Sequence, residues 1–130
     1  MDQVSERSQL ERRKKYFPIW AAALRSGKYK QGQTSLRPEE DRFCCLGVLC
    51  DLGESKAWSP SGVGYYFKGV WGSLPTEVYD EVGLYPHEEA DLVSANDNGY
   101  SFAQIADYLE SAAGLNPAQA TELRWETLFD

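Results

Sequence analysis

The chain holds one histidine, one methionine and three cysteines in 130 residues, with no Cys-x-x-Cys pair. Structural zinc takes four sulfur or imidazole ligands arranged in separated pairs, so this inventory offers no basis for a zinc site. No metal and no cofactor is expected. No apolar run approaches the roughly 18 to 20 residues that cross a bilayer. The opening Met1-Asp2-Gln3-Val4-Ser5-Glu6-Arg7 lacks the apolar segment and cleavage site of a secretory signal. The expectation is a protein with no membrane association that stays in the cytosol where it is made. Thiols there remain reduced, and an odd count argues against a disulfide framework. Internal repeats and low-complexity segments are absent as well.

Positive charge is scarce beyond the first third. Of 13 Lys and Arg against 20 Asp and Glu in all, residues 1–37 hold nine and three, leaving four and seventeen in residues 38–130, a balance of −13. Direct nucleic-acid binding is not expected of so acidic a body, since phosphate contacts need cations. An acidic face can instead meet a basic partner, including a nucleic-acid-binding enzyme, or simply be solvated. A hydrophobic fraction of 42% with 25% charged residues fits one globular domain over residues 1–130.

Leu10, Phe17, Trp20, Ala21 and Leu24 recur at helical spacing between Ser5 and Ser26, with Glu11, Arg12, Arg13, Lys14 and Lys15 assigned to the opposite face. Residues 1–15 are a candidate basic arm, and Pro18 either kinks the helix or starts its second half. Lys28 to Leu36 reads as extended and Pro38 to Asp41 as a turn, which together suggest a hairpin. Cys45, Leu46, Leu49, Cys50 and Leu52 suit a short buried helix ended by Gly53, with Gly47 admitting a close backbone neighbour. Glycines and aromatics between residues 53 and 74 predict two or three short strands. A helix follows from Leu74-Pro75 to Val82, then an exposed charged turn at Tyr85-Pro86-His87-Glu88-Glu89, a capping box at Ser101 to Gln104 and a last helix over residues 116–130 bearing Ala120, Leu123, Trp125 and Leu128. The fold class is α+β, a single compact domain with helices packed on a small antiparallel sheet.

All three cysteines fall within Phe43-Cys44-Cys45-Leu46-Gly47-Val48-Leu49-Cys50-Asp51. They read as core residues, as the wall of a ligand pocket, or as a nucleophile, with Cys44 near a helix N-terminus that favours a thiolate. The only imidazole base is His87, in the charged turn. Asn96-Asp97-Asn98-Gly99-Tyr100-Ser101 has some of the spacing of a calcium loop. With Gly99 as its sixth position, however, Ser94 and Ile105 stand where Asp and Glu are needed, and the segment reads as a helix-capping turn. Arg25, Ser26, Tyr29, Gln31 and Gln33 after the first helix, and Asn96, Asp97 and Ser101 before the capped one, are the candidate ligand- or partner-binding residues together with Cys44. No catalytic residue is assigned.

Three blocks carry a resemblance: Trp20-Ala21-Ala22-Ala23-Leu24-Arg25-Ser26-Gly27-Lys28-Tyr29-Lys30-Gln31, the cysteine block, and Asn96 to Phe102 continuing through Ile105-Ala106. Over residues 20–110 the chain resembles a family of small uncharacterised proteins from tailed phages and prophages. The resemblance implies a phage accessory protein in the host-cell cytosol that binds and inhibits a host factor, such as a CRISPR effector or another defence protein. The alternative is a binder or sponge of a small nucleotide-like ligand, and a third reading is a cysteine-dependent enzyme.

Overall fold

The computed structural model describes residues 3–123 and Trp125. Its spine is α1, Gln3–Arg25, which packs against α2 (Cys45–Gly53), α3 (Thr76–Val82) and α5 (Phe102–Ala112). The inward stripe of α1 is Arg13, Phe17, Trp20, Ala21 and Leu24, each at most 3% exposed. Arg13 therefore belongs to the core, against the sequence expectation. Pro18 lies inside a continuous helix on its exposed side, so it neither starts a new helix nor ends one. From Gln9 onward α1 is tied to the loop after α3, since Gln9 and Arg13 both donate to the Gly83 carbonyl.

Arg13 can be buried because its charge is paired and both terminal nitrogens are hydrogen-bonded, while its Nε has no hydrogen-bond partner. Its guanidinium forms a fork onto Glu88 at 2.5 and 2.9 Å, donates to the Gly83 and Ala112 carbonyls, and lies between the Phe17 and Tyr85 rings. Glu88, also 0% exposed, accepts in addition from the Tyr85 backbone N–H and the Tyr108 hydroxyl. A buried ion pair is tolerated only when both partners are hydrogen-bonded in this way. Glu88 thus sits in the first turn of a helix, α4 (Pro86–Asp97), where the sequence suggested an exposed turn. That helix is hard to see because its buried face is Glu88, Leu92, Ala95 and Asn96, half of it polar.

The described residues form two separate two-stranded ladders. β1 (Lys30–Gln31) and β2 (Arg42–Phe43) run parallel, so the hairpin expected across Pro38 to Asp41 does not form. The intervening loop turns inward because Leu36, 0% exposed, is drawn into the core. The Leu36 N–H donates to Trp71 O, and the Leu36 carbonyl accepts from the Cys44 N–H. Gly47 allows that carbonyl to lie against α2, since any Cβ there would be driven into the Leu36 oxygen. β3 (Trp58–Ser61) and β4 (Gly64–Phe67) form the antiparallel hairpin within the predicted glycine-rich stretch. Arg37 pins the loop to it, with its guanidinium over the Phe43, Trp58 and Tyr65 rings.

The remaining elements start where their caps predict. Ser101 and Gln104 form the reciprocal capping box of α5, and Asn116 and Gln119 do the same for α6 (Pro117–Glu122). Tyr108 of α5 stacks on Trp125 at 4.2 Å. Leu128, assigned to the last helix, lies outside the described residues. The architecture is α+β, helices around two small ladders, and no helix among the described residues is long and apolar enough to cross a membrane.

Candidate functional site

The cysteine block forms α2, and its thiols point into the core. Cys44 is the N-cap residue, its Sγ accepting from the Gly47 N–H at 3.4 Å, and the Cys45 Sγ faces the Leu92 carbonyl. A helix N-terminus stabilises a thiolate, but burial removes more than the backbone donors return. Burial pushes the Cys44 thiol up to about 11 and raises Cys45 and Cys50 as well. These thiols remain protonated at neutral pH. Among the described residues, no three His, Cys, Asp or Glu side chains gather as a metal-ligand set.

The predicted polar residues divide into separate places. Gln31, Gln33, Asn96 and Asp97 meet in one knot. Asn96, 0% exposed, accepts from Gln31 Nε2 (3.0 Å) and the Cys45 N–H (3.2 Å) and donates to the Gly32 carbonyl (2.8 Å). Gln31 also donates to the Tyr100 carbonyl, Gln33 to the Asn96 carbonyl, and Asp97 accepts from the Thr34 N–H. The knot fixes the loop after β1 to the ends of α2 and α4. Elsewhere, Arg25 is ion-paired with Asp107 and Glu110 on α5, Ser26 closes the end of α1, and Ser101 caps α5. The Tyr29 hydroxyl donates to Asp51, which also accepts from the Trp58 indole N–H. Burial, with that bond to Asp51 second, pushes the Tyr29 hydroxyl up to about 12. Of these residues Gln31 and Gln33 line an open polar depression, shared with Gly32, Arg42, Gly99 and Tyr100.

A different concavity is apolar. It is a groove of about 380 Å³ between α1, α2, α3 and the end of β4. Trp20, Leu49, Cys50 and Phe67 line it, all at most 7% exposed. At its mouth stand Ile19 and Leu52, 52% and 42% exposed, two of the four large hydrophobic side chains left open among the described residues. Leu52 was expected in the buried face of α2 but falls on its outer side. The charged lining is Glu54, Glu77, Glu81 and Lys68. Lys68 bridges Glu54 (2.6 Å) and Glu77 (3.4 Å), which ties the end of β4 to α2 and α3.

The sequence marked Trp20, Leu49, Cys50 and Leu52 as core positions, with the cysteines also read as a pocket wall, but it did not mark Ile19 or the charged rim as parts of a site. Ile19 is an apolar side chain off the buried stripe of α1, and a single such residue is ordinary on a protein surface. Only the fold brings it beside Leu52.

No curated protein and no solved structure gave a significant match to the chain. A family model described as a domain of unknown function (DUF8296) matches residues 13–84, which run from Arg13 in α1 to just past α3 and contain every residue lining the apolar groove. Because that match covers more than half of the 130 residues, the chain belongs to the DUF8296 family.

Proposed function

We propose that this chain acts by binding: an accessory protein of the tailed-phage type that holds and disables a host protein, such as a nucleic-acid-binding defence enzyme, through the apolar groove between α1, α2 and α3. The phage setting rests on the sequence resemblance. The single observation that carries the binding surface is the coincidence of Ile19 and Leu52, both open to solvent, at the mouth of the groove. Large apolar side chains exposed together over a concave surface with a charged rim mark contact sites in water-soluble folds. The carboxylates of that rim match a partner carrying Lys and Arg, as proteins that bind nucleic acid do. The buried, protonated thiols and the internally satisfied Asn96 knot favour binding over cysteine chemistry.

The test is site-directed photo-crosslinking in host cells, with the crosslinker in place of Ile19, of Leu52 or, as a control, of the exposed Gln119 on α6. The expected result is one host protein captured from both groove positions and not from Gln119, which then binds the unmodified chain as a purified partner. Capture of a second copy of this chain, or of nothing, from both groove positions would overturn the reading. A nucleotide that raises the melting temperature would instead favour a small-ligand binder.

A further inference from the structure

The rim of the groove is charged unevenly. Its lining holds three carboxylates, Glu54, Glu77 and Glu81, against the single ammonium of Lys68, a balance of 1 − 3 = −2. Lys68 is committed to two of them, while Glu81, one helical turn beyond Glu77, enters no ion pair among the described residues. The way Lys68 is presented is also unusual. It occupies a left-handed backbone position, φ 49°, in the tight turn with Gly69 (φ 86°), a conformation disfavoured for any residue with a Cβ. The turn is closed by paired hydrogen bonds between Phe67 and Val70, and it aims the Lys68 ammonium across the groove edge at Glu54 and Glu77. The hydrogen bond to Glu54, above all, holds that ammonium above its ordinary range. Its side chain is nevertheless 34% exposed, so water and other cations reach the same carboxylates.

We infer that the groove receives an amphipathic basic segment of its partner, and that Lys68 is the groove's own stand-in for that segment's cation, displaced when the segment docks. The inference rests on the partner-binding reading above. A cavity of about 380 Å³ takes side chains rather than a whole helix. The segment therefore lies across Ile19 and Leu52, inserts apolar anchors between them, and brings its Lys or Arg side chains to Glu54, Glu77 and Glu81. Lys68 competes for two of those three carboxylates, so it weakens the complex while it ties the free groove together.

The probe is an amidated synthetic helix of about fifteen residues, leucines spaced i, i+3, i+4, i+7 with lysines between, and a twin with glutamates for the lysines. Binding is read by calorimetry for the wild-type chain, Lys68→Met, Glu81→Gln and the charge-neutral Ile19→Ser/Leu52→Ser, each well below its own melting midpoint. The wild type is expected to prefer the lysine peptide. Lys68→Met should bind it about two- to fivefold more tightly and Glu81→Gln more weakly by a similar factor, the size of one partly exposed ion pair. The Ile19→Ser/Leu52→Ser variant should lose most of the affinity. If that double variant binds like the wild type, the groove is not the site and the reading above fails. If it loses binding but Lys68→Met binds no better than wild type, only the role given to Lys68 fails. A wild-type chain that does not distinguish the two peptides overturns the basic-segment inference.

Discussion

Asn96 connects three parts of the chain through one buried carboxamide: the Gln31 side chain, the Cys45 N–H at the start of α2 and the Gly32 carbonyl. Removing it leaves the buried Cys45 N–H and Gly32 carbonyl without that partner, while Gln31 keeps its bond to the Tyr100 carbonyl, so Asn96→Ala should cost about 2–4 kcal/mol, read as a lower urea midpoint. The Arg13–Glu88 pair makes a sharper claim, because cutting back one member strands the other as an unpaired charge. Arg13→Ala should cost about 3–5 kcal/mol, and adding Glu88→Ala should cost far less than the single changes summed. The sequence hid both residues for one reason: a polar side chain at a helical core position is indistinguishable by type from one on a solvated face. Cys44 gives a pH dependence. Its thiol is raised from 9.0 to about 11 in the folded chain, so over that window the unfolded chain releases a proton that the folded chain keeps. Stability should therefore be flat below pH 9 and fall above it, by about 2–3 kcal/mol at pH 11 from this thiol alone. Urea unfolding between pH 8 and 11 measures the fall, and Cys44→Ala should make it shallower by this thiol's share, the raised Cys45 and Cys50 thiols keeping the rest.

Helix α2 shows what a local pattern can specify. Its start at the cysteine block, its end at Gly53 and the need for Gly47 were all legible, because short apolar runs and glycine stops act within a few residues. Gly47→Ala is the corresponding prediction. The added methyl meets the backbone oxygen of Leu36, which cannot rotate aside, so the change should cost about 3 kcal/mol or more by thermal or urea unfolding, where an ordinary helical Gly→Ala stabilises. The capping box of α5 was legible on the same grounds. The β1–β2 pairing and the first turns of α4 were not. Parallel pairing of two short strands depends on the long-range burial of Leu36 in a loop, and α4 shows too few apolar residues to announce its period. The polar residues singled out before the fold was known largely serve these connections, as caps, ion pairs and the Asn96 knot. The groove went unseen because its walls come from elements far apart in sequence.

Taken whole, the described residues enclose a core that pairs its buried charges but leaves Arg13 Nε, Ser35 Oγ and His87 Nε2 without hydrogen-bond partners, and they leave an apolar groove open beside Ile19 and Leu52. Ile19 and Leu52 lie on different helices, and neither contributes much to the core, so replacing both with serine should leave the melting temperature nearly unchanged. The same replacement should disable a contact surface, since anchors of this kind carry a large share of binding energy. The net charge of −7 adds a second signature, association that weakens with added salt, because the rim carboxylates attract a basic partner over about one Debye length, roughly 8–10 Å at physiological ionic strength. The most direct test is the dissociation constant of the purified host partner, identified by crosslinking, for the wild-type chain and for Ile19→Ser/Leu52→Ser at matched thermal stability. The groove account predicts a loss of at least about tenfold for the double variant. An unchanged dissociation constant would contradict it.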